Sequence, residues 1–237
     1  ALNLILIALA LVFAYTWFWY PVMLAFLARN SSTSLRQDPV KDAVLPHVHI
    51  VIAAHNEAGI IAHRIRNLLA LDYPRDRISA YIGTDGCTDE TAGMAREAAE
   101  GDDRIRIMEF SENRGKTTLL REIVSHIRET EDMENHTSLL AFSDANTMFA
   151  PDAIRNLAEP FRHSGVGGVC GKLVFTRASA GAGVDSENPA EEGLYWRLET
   201  KLKTWESTLD SCLGANGAIY AIRPALFWDA IPPNAIV

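Results

Sequence analysis

Short apolar runs alternate with helix-like segments through the middle of the chain. Each helix-like segment has apolar residues at every third or fourth position, the spacing of one helix face. The apolar runs predict buried strands, which lie over Val48–Ala54, Ile78–Gly83, Ile105–Phe110 and Leu139–Phe142. Repeated strand–helix pairs predict an α/β fold with a mostly parallel sheet and helices on both faces.

The alternation loosens after residue 165. A glycine-rich stretch over residues 165–172 leads into a fifth predicted strand that runs through Phe175. A long amphipathic helix is predicted from about Ala190 to Leu209, and a strand over Ala218–Ile222 follows it. The chain of 237 residues has no internal repeat, and its length favours one large domain.

The first 28 residues form a separate pattern, because they carry no charged side chain. A helix of this length spans roughly 42 Å, which exceeds the roughly 30 Å of a bilayer's hydrocarbon core. Trp17, Trp19 and Tyr20 cluster as aromatic residues do at a membrane interface, and Pro21 is expected to kink or end the first part of the helix. The pattern predicts one transmembrane helix.

A cleaved signal peptide is the alternative for this segment. The apolar stretch is long for a signal peptide, and the best cleavage site, after Ala28, would place Phe26 at a position that prefers a small residue. Positive charges follow the segment at Arg29, Arg36 and Lys41, and none precedes it. The positive-inside rule therefore predicts an inner (plasma) membrane protein whose following domain is cytoplasmic.

Composition narrows the classes of function. With 22 basic and 30 acidic residues the net charge is −8, which gives no reason to expect a nucleic-acid partner. Cys87, Cys170 and Cys212 are far apart and form no C-x-x-C pair. They argue against a disulfide framework or a zinc site and suit a reducing compartment.

Three short polar motifs follow predicted strands and precede predicted helices, over His55–Glu57, Thr84–Asp89 and Ser143–Thr147. The carboxyl ends of parallel strands open on one edge of a sheet, where open α/β folds bind ligands, so we expect the motifs to converge. A carboxylate cluster at that edge suggests contacts to hydroxyl and N–H groups of a sugar or base. It also suggests a metal ion that in turn holds phosphate.

The acidic residues of these motifs have structural alternatives. An Asp after a strand can simply cap the next helix, which is the interpretation that we prefer for Asp89. Asp85 and Asp144 are assigned to ligand or metal binding, because both are predicted at the open edge of the sheet. Glu57 is equally explained as a first-turn acid favoured by the helix dipole, and His55 as a polar residue at a strand end.

Gly115-Lys116-Thr117 resembles the end of a P-loop, but Phe110 stands where that loop needs a glycine. A helix N-terminus that carries a lysine can still bind phosphate, and we predict that role for Lys116. No G-x-G-x-x-G motif follows the first strand, which disfavours a nicotinamide-dependent dehydrogenase.

Together the motifs resemble those of the family 2 glycosyltransferases, inverting enzymes with the GT-A fold, which is Rossmann-like. The matching segments are Asn56-Glu57, Thr84–Asp89, Asn113–Lys116 and Asp144–Asn146. The resemblance covers about residues 46–225. The N-terminal helix resembles that of the membrane-bound branch of the family, and so do two later segments, Tyr195–Arg197 and Gly214–Gly217. This branch includes synthases of cellulose, hyaluronan and poly-N-acetylglucosamine. We accordingly predict a transmembrane helix over residues 1–28, a polar linker over 29–45 and a GT-A domain over 46–237.

The resemblance implies transfer of a sugar from a nucleotide-sugar, with a UDP-sugar preferred, to a glycan or lipid-linked acceptor. Such reactions belong to exopolysaccharide or cell-envelope glycan synthesis. An acceptor hydroxyl would attack the anomeric carbon with inversion, and a carboxylate would take its proton. Mg²⁺ or Mn²⁺ is the implied cofactor, because it neutralises charge on the leaving diphosphate.

The resemblance also implies roles for individual residues. Glu57 and Asp85 would hold the base and ribose, Lys116 would lie near the base or phosphates, and Asp144 would lie by the diphosphate. The expected donor site comprises Ala53, His55, Glu57, Asp85, Gly86, Lys116 and Asp144, and the expected metal ligands are Asp144 and Asn146. The expected acceptor side comprises Tyr195, Trp196, Arg197, Gly214, Ala215 and Asn216.

Two departures from the family's pattern change these expectations. Asn146 stands where the family usually has the second Asp of a D-x-D motif, so we expect weaker metal binding, because an amide oxygen brings no charge. The family's acidic pair with the catalytic base does not follow Asn216, where Asp229 stands alone, and the Q-x-x-R-W motif is absent. We therefore expect the base beyond Val237, and only weak transfer by residues 1–237 alone.

Two other functions stay open on this sequence. A sugar nucleotidyltransferase would usually carry a glycine-rich basic loop after the first strand, and residues 53–59 do not form one. A non-catalytic, membrane-anchored nucleotide-sugar-binding domain would keep the donor site without turnover. Release of nucleoside diphosphate separates these functions from a glycosyltransferase.

Overall fold

The computed structural model describes residues 2–31, 45–131, 133, 137–174, 189–215 and 217–227, without the side chains of residues 189–195. The chain divides into two compact units. The helical unit comprises Ala1–Arg36 and Val174–Ala215, and the sheet unit comprises Gln37–Leu173 and Asn216–Val237. The linker predicted for residues 29–45 lies mostly outside the described residues.

The sheet unit contains a mixed sheet whose strands follow the order β3-β2-β1-β4-β6-β5. The strands are β1 (His47–Ala54), β2 (Ile78–Asp85), β3 (Ile105–Phe110), β4 (Ser138–Asp144), β5 (Gly168–Cys170) and β6 (Ile219–Ile222). Strands β1 to β4 are mutually parallel, whereas β6 is antiparallel to both β4 and β5. The predicted α/β class and mostly parallel sheet are confirmed. The fifth strand ends earlier than predicted, at Cys170, and Phe175 lies outside the described residues.

Helices cover both faces of this sheet. The helices of the chain are α1 (Leu2–Ala14), α2 (Tyr20–Asn30), α3 (Ile61–Leu69), α4 (Thr91–Ala99), α5 (Lys116–Thr130), α6 (Ala153–Ala158) and α7 (Pro189–Leu209). Apolar residues of α3, α4 and α6 share one buried cluster with the sheet, and those of α5 share a second cluster on the other face. Alternate residues of β1 enter the two clusters, Ile50 and Ile52 the first and Val51 the second. This burial on both faces explains the unbroken apolar run of the strand.

Gly83 sets how closely α5 approaches the sheet. A Cβ at this position would lie 2.7 Å from Ile123 Cδ1 and 2.9 Å from Leu119 Cδ1. Glycine therefore lets α5 pack directly on β2, and the packing fixes the place of Lys116, the first residue of α5.

The strand order creates a topological switch point between β1 and β4. The chain moves from β1 outward to β2 and β3, and then returns to place β4 on the other side of β1. The connections that leave the carboxyl ends of β1 and β4 therefore diverge, which opens a crevice there.

The helical unit begins with one continuous helix over Leu2–Asn30, which is long and apolar enough to cross a membrane. A π-helical turn over Tyr15–Trp19 joins α1 to α2. It lies just before Pro21, which has no N–H and crowds the preceding turn, so the helix widens there and continues. Within the same unit, the Tyr20 hydroxyl donates to Glu206 Oε1 of α7 at 2.7 Å.

Candidate functional site

A cleft of about 310 Å³ opens at the carboxyl ends of β1, β2 and β4, at the switch point of the sheet. Its lining residues are Ala53, Ala54, His55, Glu57, Asp85, Lys116, Leu119, Asp144, Ala145 and Asn146. Every residue predicted for donor or metal binding lines this cleft except Gly86, which follows Asp85 directly. The structure thus brings the predicted residues together, and their individual roles stay predictions.

The loops that carry the first two motifs are joined by Asn56, which has a left-handed backbone with φ of 55°. Its side-chain oxygen accepts the backbone N–H of Thr88 at 2.9 Å. The backbone N–H of Glu57 in turn donates to the Thr91 hydroxyl at 2.7 Å. Asn is one of the few residues that tolerate this backbone conformation, and its amide supplies the acceptor.

Asp89 contributes to the same junction from the second motif. Its Oδ1 accepts the first backbone N–H of α4, from Thr91, at 3.0 Å. Its Oδ2 accepts the backbone N–H of Ala58 at 3.2 Å. These contacts agree with the structural interpretation of Asp89, which holds the start of α4 against the first motif.

Asp85 is 4% exposed, and its carboxylate holds the loop between β3 and α5. Oδ1 accepts the backbone N–H of Arg114 at 3.0 Å, and Oδ2 accepts that of Gly115 at 2.9 Å. Gly86, with φ of 57°, allows this approach, because a Cβ there would lie 2.3 Å from the backbone nitrogen of Asn113. Residue-level reasoning missed this role, although the Asn113–Lys116 motif lies in the loop concerned.

His55 lies at the mouth of the cleft, and one of its ring nitrogens has a defined partner. Nδ1 lies 2.6 Å from the carbonyl oxygen of Asp85, an acceptor, so Nδ1 carries the proton and donates. The Asn56 side-chain nitrogen lies 3.3 Å from the other ring nitrogen, Nε2. The ring is thereby oriented by the first two motifs.

Lys116 and Asp144 form an ion pair in the cleft, with Nζ 2.7 Å from Oδ1. Both side chains are about 40% exposed, so the pair is accessible to solvent and to a ligand. Lys116 also begins α5, and the N-terminus of a helix favours an anion. The pair therefore brings a cation and a carboxylate to the place where the sequence predicts diphosphate and metal.

The pKa of the Glu57 carboxyl is shifted by burial and by other acidic residues of the site. Burial raises this pKa, and the charges of Asp89 and Asp144 raise it further. This accumulation of negative charge favours a ligand that supplies N–H or hydroxyl donors, or a cation.

The cleft offers only some of the oxygen ligands that a hard divalent cation needs. In the described part of the chain, no group of three or more His, Cys, Asp or Glu side chains is placed to hold a metal ion. Asp144 and Asn146 offer one carboxylate and one amide oxygen on the same cleft. Mg²⁺ is commonly held by one or two carboxylates together with substrate phosphates, so this pair fits an ion that a bound diphosphate completes.

The residues predicted for the acceptor side belong to the helical unit, apart from Asn216, which is outside the described residues. Trp196 and Arg197 lie in α7, and Arg197 is exposed. Gly214 and Ala215 follow that helix, and the side chain of Tyr195 is not among those described. An acceptor role for this group stays a prediction.

Comparison with known sequences finds a match to Glycosyl transferase family 2 over residues 49–222. The chain is 29% identical to a beta-monoglucosyldiacylglycerol synthase of Nostoc sp. over 127 residues, 53% of this chain and 25% of that protein. It is 27% identical to a poly-beta-1,6-N-acetyl-D-glucosamine synthase of Staphylococcus aureus over 139 residues, 58% of this chain and 31% of that protein. The matches thus span about a quarter to a third of the length of these curated relatives.

Comparison with solved structures finds a mannosyltransferase of Pyrobaculum calidifontis, determined in complex with GDP-Man and Mn²⁺. The TM-score is 0.70 at 20% identity, and the match covers 94% of this chain and 57% of the other. At this identity the likeness shows a shared fold, which agrees with the expected GT-A architecture.

Proposed function

The chain belongs to glycosyl transferase family 2, and from this premise we propose that it transfers a sugar from a nucleotide-sugar to an acceptor hydroxyl, with inversion at the anomeric carbon. The supporting observation is the cleft at the switch point, where the acidic motifs meet the lysine that begins α5. An acidic rim for hydroxyl and N–H groups, next to a cationic helix N-terminus for phosphate, suits a nucleoside diphosphate.

We propose that Glu57 and Asp85 serve the nucleoside end of the donor in different ways. Glu57 lines the cleft with its carboxyl and is the candidate for direct hydrogen bonds to ribose or base. Asp85 already accepts two backbone N–H groups from Arg114 and Gly115. Its contribution is therefore to hold that loop against the nucleotide, with any direct contact made through its remaining lone pairs.

At the diphosphate end, Lys116 would donate to phosphate oxygens from the start of α5. Asp144 and Asn146 would hold Mg²⁺ or Mn²⁺ together with those oxygens, and the bound ion would neutralise charge on the leaving diphosphate. The amide of Asn146 brings no charge, so metal affinity would depend strongly on the phosphates. The proton of the acceptor hydroxyl would pass to a carboxylate that is not among these residues.

A UDP-sugar is the donor that we propose, and a glycan or a lipid-linked molecule is the acceptor. The Nostoc and Staphylococcus relatives are named as synthases of a glycolipid and of a polysaccharide, which supports an acceptor of this kind. The Pyrobaculum mannosyltransferase binds GDP-Man, so the base of the donor must be tested directly.

The exposed apolar helix over Leu2–Asn30 supports a membrane anchor for the protein. Most of its large apolar side chains are exposed, with Leu24 as a buried exception, and such exposure is expected for contact with lipid. We propose an inner-membrane protein whose sheet unit is cytoplasmic, where nucleotide-sugars are made.

The test is release of nucleoside diphosphate by the full-length, membrane-extracted protein, with UDP- and GDP-sugars and with Mg²⁺ or Mn²⁺. Asp144→Ala should reduce turnover and the affinity for UDP at least tenfold, because it removes the carboxylate beside the diphosphate. Asp103→Ala is the matched control, because Asp103 is an exposed acid just before β3 and so lies at the end of the sheet opposite the cleft. Unchanged UDP affinity in Asp144→Ala would refute the proposed site.

The same assay separates the alternative functions. A sugar nucleotidyltransferase releases pyrophosphate rather than nucleoside diphosphate. A non-catalytic binding domain binds UDP but releases neither product with any acceptor fraction.

A further inference from the structure

Arg64 of α3 is completely buried and lies against the end of β4, next to the loop that carries Asp144. Its Nη2 donates to the Ser143 hydroxyl at 2.9 Å, and its Nη1 donates to Asn67 Oδ1 at 2.9 Å. The guanidinium also stacks over Phe149, with Cζ 4.0 Å from the ring centre. None of these three partners is among the predicted donor, metal or acceptor residues, and no role is predicted for Arg64 from the sequence.

This cation is costly for the fold. Within the described part of the chain it forms no ion pair, and its Nε has no hydrogen-bond partner. Burial lowers the pKa of the guanidinium to about 9, which leaves it charged at neutral pH. A buried charge without a carboxylate partner destabilises a protein, and an apolar residue of similar volume is often tolerated or stabilising at such a position.

The contacts of Arg64 converge on the loop after β4. Ser143 stands before Asp144 and donates its own hydroxyl to the carbonyl oxygen of Ala218 at 2.9 Å. Asn67 fixes the far end of the loop, because it donates to the Phe149 carbonyl at 2.9 Å and accepts the Phe149 N–H at 2.8 Å. The segment between these anchors carries Asp144 and Asn146.

The charge of Arg64 also acts on the cleft. Asp144 is the charged group that opposes the effect of burial on Arg64, so the two residues attract each other electrostatically. In a buried setting such attraction is weakly screened by salt. An anionic ligand above the same loop would be attracted in the same way.

We propose that Arg64 is a positioning residue for the diphosphate end of the cleft: through Ser143 and Asn67 it holds the two ends of the segment that carries Asp144 and Asn146, and its charge makes that end of the cleft more electropositive. This inference rests on the proposed function, since it assumes that the segment binds a nucleoside diphosphate. It accounts for a buried cation without an ion-pair partner at a position where an apolar side chain is often tolerated or stabilising.

The test compares Arg64→Met and Arg64→Lys for UDP and GDP binding by calorimetry in MgCl₂, and for thermal unfolding. Met keeps the volume and removes the charge, and both partners of Arg64 retain other hydrogen bonds. We expect Arg64→Met to unfold at the same or a higher temperature, yet to bind the nucleotide about tenfold or more weakly. Arg64→Lys should give an intermediate affinity, since it keeps the charge and loses the planar fork.

Two further variants make the result specific. Ile65→Met, on the same buried helix but outside this network, should leave nucleotide affinity unchanged. Asn67→Ala, which releases the far end of the loop, should weaken nucleotide binding without removing the charge.

The outcomes separate this inference from the proposed function. If Asp144→Ala loses affinity while a folded Arg64→Met binds like the wild type, Arg64 is a packing residue and the inference is wrong. If Arg64→Met does not fold, unchanged affinity in both Asn67→Ala and Arg64→Lys overturns it. If Asp144→Ala also binds normally, it is the proposed function that fails.

Discussion

The two ends of the parallel sheet are both polar, but they use their polar groups differently. At the carboxyl ends of the strands lies the cleft. At the amino ends lies a second group of polar side chains, here called the basal cluster, which comprises His47, His49, Ser79, Tyr81, Arg106 and Glu131.

In the basal cluster the side chains bond to one another. His49 Nδ1 lies 3.0 Å from the Ser79 hydroxyl, and the Tyr81 hydroxyl donates to Glu131 Oε1 at 3.1 Å. Arg106 Nη1 donates to the same Glu131 oxygen at 2.6 Å. Such mutual pairing stabilises a fold and leaves little capacity for a ligand.

In the cleft, polar side chains bond mainly to the backbone of neighbouring loops. Asp85 and Asn56 accept backbone N–H groups, whereas no hydrogen bond of the Glu57 carboxyl or the Asn146 amide is present among the described residues. A polar strand end becomes a candidate site when its side chains shape the neighbouring loops and keep unused hydrogen-bond donors and acceptors. The presence of polar residues does not distinguish the two ends, because both ends of this sheet carry them.

Asp85→Ala should give the largest effect at the cleft end. It would leave the backbone N–H groups of Arg114 and Gly115 without their charged acceptor, and each hydrogen bond to a charged group contributes about 1.5–3 kcal/mol. We expect unfolding by urea at lower concentration and a loss of nucleotide affinity of about a hundredfold. Asp85→Asn keeps one side-chain acceptor, so its stability and nucleotide affinity should lie between those of the wild type and Asp85→Ala. Equal nucleotide affinity in the wild type and both variants would show that the loop after β3 does not contribute to ligand binding.

A fall in pH should destabilise the protein mainly through the basal cluster. Burial, reinforced by His47, lowers the pKa of His49 to about 4 from 6.5. The unfolded chain therefore takes up this proton first, and up to about 3 kcal/mol of stability is lost as the pH falls from 6.5 to 4. Urea unfolding across this range measures the loss; if His49→Phe shows the same slope, another group is responsible.

Lys116→Met probes the ion pair of the cleft. We expect nucleotide affinity to fall about tenfold, because a phosphate contact at the start of α5 is lost. Binding of Mn²⁺ alone, measured by electron paramagnetic resonance, should become tighter, since Lys116 no longer competes for Asp144. Stability should change by less than about 1 kcal/mol, as for other exposed pairs; weaker Mn²⁺ binding would contradict the competition.

Glu131→Gln, a change in the basal cluster, should have the smallest effect of these variants. It removes the charge that pairs with Arg106 and keeps an oxygen for Tyr81. We expect a loss of about 1 kcal/mol in the free energy of unfolding and no change in UDP affinity. A change in affinity would mean that the basal cluster is coupled to the cleft.

Much of this architecture could be predicted from local patterns. Strands β1 to β4 and helix α5 agree with the apolar periodicity within a few residues at their ends, because each is a continuous buried stripe. The cleft could be located because parallel strands end on one edge of a sheet. The fifth strand is predicted to follow the glycine-rich stretch and run through Phe175, whereas β5 lies within that stretch and ends at Cys170, because glycine-rich sequence gives little information on where pairing stops.

What the sequence did not predict depends on contacts between distant segments. Asp85 was assigned to a ligand, and its bonds to Arg114 and Gly115 arise only when β2 and the loop after β3 are adjacent. Asn56 has a left-handed backbone that no local pattern marks. Arg64 stands in a helical segment that resembles an ordinary amphipathic helix, so its burial was not foreseeable.

Gly83 makes the cleft depend on a residue that does not line it. A Cβ at this position would meet the side chains of Leu119 and Ile123, so alanine requires those side chains to shift, and a larger residue would push the first turns of α5 outward and carry Lys116 with them. In a saturation mutational scan, position 83 should therefore be among the least tolerant in the chain. The positions that tolerate few substitutions in such a scan would show where α5 packs on the sheet, before any ligand had been identified.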